Sequence, residues 1–249
     1  MKILTLEFLK LRRKKILLMI TLFMGVEILW ALLAVSISLS RNPSDNGWMA
    51  TIVTLATMNA LFLPIISSVV MSRICDMEYK GNTWKLLRSV NVKPSNVYAA
   101  KYICGNILLL YAIVLQAIAI AIFSNVNGFA EPLPLSILLK YIGGTMLITM
   151  TILALQQWIS LLFKNQTFAL CLGMVGGFLG MTGDFFPSFL RRIIIWSYYT
   201  GLSPVACRFT DNSTHFILRN QNIGIFAVVI LITIVFYIAG NSHVSRQEL

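Results

Sequence analysis

Six stretches of the chain, roughly residues 16–40, 50–72, 102–124, 137–163, 166–186 and 223–240, are apolar over lengths that meet or approach what a helix needs to cross a bilayer. Hydrocarbon offers no partner to a backbone N–H or C=O, so such runs are confined to helices or closed barrels. These runs are continuous where barrel strands would alternate, which selects the helix. Composition agrees, since 57% of the residues are hydrophobic and only 12% are charged, about half the charge of an ordinary soluble domain. The expected fold is an all-α integral membrane protein with six transmembrane helices, residues 1–249 forming one membrane domain without internal repeat.

The net charge of +11 does not gather into one basic face, which argues against nucleic acid as a partner. The basic residues lie between the apolar runs and report orientation. Residues 1–15 hold six (Lys2, Lys10, Arg12, Arg13, Lys14, Lys15) and the connection 73–101 holds six more, whereas 41–49 and 125–140 hold one each. Both termini are therefore expected in the cytoplasm of a multi-pass cell-membrane protein. The long connection 187–222 runs against this count, with Arg191, Arg192, Arg208 and Arg219 on the outer side.

Phe185–Val205 mixes aromatic and aliphatic residues with Pro187, Pro204, Gly201 and two arginines. It is too interrupted to span and too apolar for water, so a re-entrant or interfacial helical hairpin is expected after span five. At the other end, Leu4, Phe8 and Leu11 recur at helical spacing ahead of a basic cluster. That pattern suits an interfacial helix on the inner leaflet, or a mere positive anchor. The four cysteines are scattered without a CxxC pair, and His215 and His243 are the only histidines, so no metal site is expected.

The connection RICDMEYKGNTWKLLRSVNVKPSNVYAAK, residues 73–101, has a short helical centre. Asn82 or Thr83 can cap it, Trp84, Leu87 and Val90 share one face, and Lys85 and Arg88 lie on another strip. Pro94 breaks it, and Ser95 or Asn96 can start the next helix. An aromatic stripe of this kind below a membrane is a docking surface. Glu78, four residues, Thr83, then Leu87, Pro94-Ser95 and Lys101 resembles the E-x4-T…L…P-S…K connection between spans two and three of type-2 ABC exporter permeases. The variant NTWKLLRS is most similar to the small permeases of lantibiotic-immunity and bacitracin-type exporters.

The resemblance implies a membrane domain paired with a second permease copy or a related permease, and driven by a cytoplasmic ABC ATPase dimer. In it, Glu78, Thr83, Trp84, Lys85, Leu87 and Arg88 would form the ATPase-coupling set, with Lys164-Asn165-Gln166 as a second contact. The chain has no G-x-x-x-x-G-K and no Gly-Lys pair, so ATP and Mg are expected on the partner ATPase and no cofactor on this chain.

Within the spans, Glu27 stands out, because a carboxylate near a helix centre costs on the order of 2.5–3.5 kcal/mol on insertion scales. No lysine or arginine of the same helix lies within two turns of it, so it must face another helix, a water-filled cavity or a proton. Glu27, Asn59 and the helix-kinking Pro64 are the candidates for a cavity or substrate site. Asn59, Gln116, Gln156 and Gln157 also read as helix-to-helix hydrogen bonding groups. Gly173, Gly176, Gly177 and Gly180 allow close helix packing, inside the subunit or at an interface.

These features favour a transport subunit, not an enzyme, that expels a lantibiotic-like amphiphilic peptide from membrane lipid, giving antibiotic resistance. A permease for another drug or a lipid-linked compound, a non-transporting sensor or assembly subunit, and an intramembrane enzyme are the alternatives. The last would need a histidine or metal cluster within the spans, and both histidines fall outside them.

Overall fold

The computed structural model describes residues 2–41, 46–81, 93–129, 134–210, 213–219 and 223–246. A short helix α1 (Lys2–Arg13) leads into five helices long and apolar enough to cross a membrane: α2 (Ile16–Arg41), α3 (Gly47–Lys80), α4 (Pro94–Val126), α5 (Leu135–Leu162) and α9 (Ile223–Arg246). Between α5 and α9 lie the shorter apolar helix α6 (Thr167–Met181), two brief helices α7 (Ser188–Ile193) and α8 (Tyr198–Gly201), and a hairpin of β1 (Val205–Thr210) and β2 (Ser213–Leu218).

The α1–α2 corner is made at Lys15, whose φ of 50° puts it in the left-handed region. That conformation is uncommon outside glycine and turns the chain sharply between one helix and the next. α3 begins on a cap, with the Asn46 side chain accepting from the Met49 amide at 3.1 Å, and ends at Gly81. It runs unbroken through Pro64. At 34 and 33 residues, α3 and α4 are each about 50 Å long, well beyond the ~30 Å hydrocarbon core. Both extend about two turns past the span ends expected from apolarity. The second helix starts at Pro94 itself, whose missing N–H is harmless in a first helical turn.

α3 is the centre of the bundle and packs against α2, α4, α5 and α6, while α9 lies on α5 and α4. One buried cluster joins Ile20 and Met24 of α2, Leu63 and Val70 of α3, Leu109 of α4 and Ile152 of α5. A second gathers Trp48, Leu55, Ile120, Leu138 and Tyr141 near the far end. A third holds Cys75, Val97, Tyr98, Leu161 and Val244 at the end that carries α1. Outward, α2, α4 and α9 present rows of exposed aliphatics such as Leu22, Leu29, Leu33, Ile118, Ile122, Leu231 and Val235. Apolar helix faces of this kind are at home in lipid.

The structure corrects three sequence expectations. α6 has 15 residues and stops at Met181, so it is about 22 Å long and shorter than the expected span 166–186. The chain after it does not form a purely helical hairpin. Residues 183–202 turn back into the bundle as short helical pieces, burying Tyr199 and Leu202 in the main core, and the β-hairpin follows with Val205 buried against the Trp48 cluster. The re-entrant piece fills the space that a short α6 leaves. Finally, the stripe Leu4, Phe8 and Leu11 of α1 packs against the protein core, whereas Leu6 and Leu9 are the exposed leucines, at 56% and 54%.

Two of the arginines that run against the charge count, Arg191 and Arg219, have local partners. Arg191 Nη2 lies 2.6 Å from Asp184 Oδ1. Arg219 Nη1 donates to the carbonyls of Thr200 and Gly201 at 3.0 and 2.9 Å, tying the end of the hairpin to α8. Burial, with Arg191 adding to it, draws the Arg219 pKa below its ordinary value, against the pull of Asp184.

Candidate functional site

Two constellations of polar side chains stand out, one at the foot of the bundle and one inside it. At the foot, four charged groups close a ring of alternating sign. Lys10 Nζ lies 2.8 Å from Glu7 Oε1 and 2.8 Å from Glu78 Oε1, and Lys101 Nζ lies 2.9 Å from Glu7 Oε2 and 2.8 Å from Glu78 Oε1. Lys101 also donates to the Ile74 carbonyl at 3.1 Å. The Glu78 and Lys101 side chains are fully buried, Glu7 is nearly so, and Lys10 reaches partway to solvent.

Helix geometry builds the ring. Glu7 and Lys10 are one turn apart on α1, Glu78 sits in the last turn of α3, and Lys101 lies two turns into α4. A buried charge is tolerable only when paired and hydrogen-bonded, and here two acids meet two bases. Burial lowers the Lys10 pKa, but the hydrogen bonds to Glu7 and Glu78 outweigh it and hold the ammonium above its ordinary range. Because that folded-state value is raised, its stabilisation is present throughout neutral pH and is lost only as pH climbs past the ordinary lysine range.

Glu78, one of the coupling candidates, is therefore turned inward onto α1 and α4. Thr83, Trp84, Lys85, Leu87 and Arg88 lie outside the described residues. The second expected contact, Lys164-Asn165-Gln166, forms the tight turn between α5 and α6. Asn165 Oδ1 there accepts from the Thr167 amide at 3.0 Å, and Gln166 Nε2 donates to the Ser160 carbonyl at 3.1 Å. Sequence reading missed the roles of Glu7 and Lys10. The available signal was Glu7 itself, the one acid of α1, which shares a helical face with Leu4, Phe8 and Leu11.

Inside the bundle, Asn59, Gln116 and Tyr141 form a closed cycle of hydrogen bonds. Asn59 Nδ2 donates to the Tyr141 hydroxyl at 2.6 Å, Tyr141 donates to Gln116 Oε1 at 3.0 Å, and Gln116 Nε2 donates to Asn59 Oδ1 at 2.8 Å. The cycle ties α3, α4 and α5 together at fully buried positions. Beside it, the hydroxyls of Thr149 and Tyr199 are 3.1 Å apart and join α5 to the re-entrant piece.

Glu27 occupies a core position on α2, between Met24 and Ile28, with no exposed surface. Among the described residues neither carboxyl oxygen has a partner within hydrogen-bond geometry, the Gln116 amide being near it. Its electrostatic neighbours are Gln116, Tyr141 and Tyr199, and the Gln116 amide also gives one N–H to Asn59. The structure thus brings the candidates Glu27 and Asn59 to one polar cluster. Pro64 is buried elsewhere on α3, with its carbonyl facing Gly173 of α6. Gln157 Nε2 donates to the Tyr98 carbonyl at 2.8 Å, and Gln156, with its amide turned to match its neighbours, donates to Ala169 O at 3.1 Å and accepts from Gly173 N at 3.3 Å.

The four glycines of α6 meet residues of this same chain. A methyl group at Gly173 would collide with Ser68, and one at Gly176 with the Trp196 ring. At Gly177 it would stand 2.6 Å from the Leu61 carbonyl oxygen, and at Gly180 2.7 Å from that of Ala60. The glycines allow α6 to lie directly on the α3 backbone, with Trp196 of the re-entrant piece across it.

The polar cycle gives a checkable expectation. Tyr141→Phe leaves Gln116 Oε1 without its donor and Asn59 Nδ2 without its acceptor, which costs about 1 kcal/mol for a hydrogen bond between membrane helices. A thermal melt of the purified protein should show a modest loss of stability, with Thr21→Val, which touches the exposed Tyr111 hydroxyl, as a near-neutral comparison.

α3 and α4 are each longer than a span needs, and their sequence-adjacent ends are locked to α1 by buried charge at the foot of a largely apolar bundle. No curated protein shows a significant sequence match to the chain. The family model described as ABC-2 family transporter protein matches residues 3–180, from α1 through α6. The chain is a multi-pass membrane protein that belongs to the ABC-2 family of transporters.

Proposed function

We propose that this chain is the permease subunit of an ATP-driven exporter that removes a lantibiotic-like amphiphilic peptide from the membrane and so protects the cell. Membership of the ABC-2 family makes it a transporter membrane subunit that works with an ABC ATPase. ATP and Mg belong to that ATPase, and a second permease copy or a related permease completes the membrane domain. Both termini are cytoplasmic, in accord with the excess of Lys and Arg in 1–15 and 73–101.

What supports the ATP-driven reading is membership of the ABC-2 family together with the pair α3 and α4, which flank the 82–92 connection in sequence and at 34 and 33 residues are longer than a span needs. In that connection, Trp84 and Leu87 serve as apolar anchors in an ATPase groove and Lys85 and Arg88 as rim charges, since buried anchors supply most interface energy. The scarcity of charge in the spans suits a greasy cargo. The polar cluster of Glu27, Asn59, Gln116 and Tyr141 is where we place contact with a polar or cationic part of such a cargo.

The test uses cells that express the chain with its ATPase, exposed to a cationic amphiphilic peptide. The complex should lower cell-associated peptide and raise the tolerated concentration severalfold. Glu27→Gln keeps the shape and removes the charge, so it should preserve ATPase binding and fold while reducing protection several-fold. Protection equal to that of wild type would remove Glu27 from the pathway, and no protection by the wild-type complex would remove the peptide assignment.

A further inference from the structure

We propose that Glu27 is a site for a single positive charge: it holds a proton in the arrangement seen here and exchanges that proton for a cationic group of the cargo. The exchange rests on the reading of its polar cluster as the place of cargo contact, whereas the bound proton does not.

Three observations carry it. First, Glu27 is the exception among the acids. Among the described residues, Glu7, Asp76, Glu78 and Asp184 each lie close to a lysine or arginine, at 2.8, 2.6, 2.8 and 2.6 Å. Glu27 meets no base and has no exposed surface. An ionised carboxyl sealed from water without a counter-charge is so costly that the neutral acid takes its place.

Second, no charged group faces it. Around it stand the amides of Asn59 on α3 and Gln116 on α4 and the phenols of Tyr141 on α5 and Tyr199 on α8. The charges of these elements are distant or engaged elsewhere. Arg73, the first on α3, comes fourteen residues after Asn59, and Lys101 of α4 fifteen before Gln116, about 21 and 22 Å along their helices. Arg41 ends α2, and Lys140, beside Tyr141 in sequence, is exposed, as is Arg192. Asp184 and Arg191 pair with each other, and Glu7 and Lys10 of α1 belong to the ring at the foot.

Third, the nearby donors are committed. Tyr141 gives its O–H to Gln116, Gln116 gives one N–H to Asn59, and the hydroxyls of Thr149 and Tyr199 engage each other. Beyond the second Gln116 N–H, the cluster has little to offer an anion. With a proton on Glu27 it is electrically neutral.

That neutrality fixes what a cationic cargo must do. An ammonium brought to the cluster while the proton stays would be a bare buried charge. The balanced step is exchange: the ammonium enters, the O–H bond of the Glu27 carboxyl breaks, the proton leaves to water, and the carboxylate pairs with the ammonium. The cluster carries zero charge before and after. A cargo without a cationic group leaves the proton in place.

The experiment uses the full-length chain in nanodiscs with its co-purifying ABC ATPase. The probe is a fluorescently labelled amphiphilic peptide with blocked termini and lysine as its one charged residue, and its comparison is the same peptide with the lysine acetylated. The infrared difference between wild type and Glu27→Gln at neutral pH should contain the C=O band of a neutral carboxyl, and Glu27→Asp should retain such a band at a shifted position. Saturation with the lysine peptide should abolish the wild-type band and release about one proton per permease chain into weakly buffered medium. The acetylated peptide should release at least fivefold less. Proton release is read on the wild-type chain alone, so it stands even if Glu27→Gln fails to fold. Absence of the neutral-carboxyl band, its survival at saturation, or equal proton release by the two peptides overturns the inference and leaves the cargo reading standing. Failure of the lysine peptide to bind the wild-type complex removes that reading and the exchange with it.

Discussion

Lys101→Met should be the most damaging single substitution at the foot of the bundle, with a loss of about 3–5 kcal/mol, the range found when one partner of a buried ion pair is removed. The methionine fills the volume but leaves Glu7 and Glu78, both buried, to share the half-exposed Lys10. It also removes the additional hydrogen bond that Lys101 gives to the Ile74 carbonyl at 3.1 Å. Lys101→Arg keeps the charge and should recover most of the loss. The appropriate contrast is Lys80→Ala: its pair with Asp76 spans 2.6 Å, but Lys80 is 79% exposed, and surface pairs of that kind contribute less than about 1 kcal/mol. Membrane-inserted yield and thermal unfolding of the purified chain provide the measurement. Similar melting for Lys101→Met and Lys80→Ala would show that the ring is not a structural centre.

Gly177→Leu should disrupt the bundle from the other side. Even a methyl group there stands 2.6 Å from the Leu61 carbonyl oxygen of α3. Backbone cannot swing away as a side chain can, so the helices must separate. Gly177→Ala is expected to cost about 1–3 kcal/mol, the usual range for overpacking, and the leucine should prevent α6 from seating at all. Because α6 helps hold Trp196 in place, the re-entrant piece should loosen with it, and protease sensitivity after residue 183 should rise. Gly143→Ala, where nothing lies within 4 Å of the added methyl, should melt like wild type.

Much of the membrane architecture was legible because burying a backbone in lipid leaves so few options. Residues 16–40 and 137–163 were read as spans, and the helices run Ile16–Arg41 and Leu135–Leu162. Apolarity failed where charge is paired. It ended the second span near residue 72 and began the third near 102, yet the helices continue to Lys80 and from Pro94, where Glu78 and Lys101 meet Lys10 and Glu7 of α1 and Asp76 pairs with Lys80. One sequence cannot show which charges will meet.

The hairpin after α8 was missed for a different reason. Val205, Phe209, Thr210, Thr214, Phe216 and Ile217 are strand-forming residue types around Asp211-Asn212, a pair suited to a tight turn. Greasy surroundings hid that pattern behind the expectation of helices. The polar cycle was half legible: Asn59 and Gln116 were noticed as hydrogen-bonding groups, but Tyr141 was not, since a tyrosine in a span reads as one more aromatic.

The account stands on the chain being a permease whose 82–92 connection receives an ABC ATPase. The most direct measurement is recovery of that ATPase on an affinity-tagged chain solubilised from its native membrane, beside Trp84→Ala. Wild type should retain the ATPase through purification and show ATP hydrolysis, whereas Trp84→Ala should lose at least nine-tenths of it at equal permease yield. Equal recovery by the two, or no ABC ATPase on either, would contradict the account.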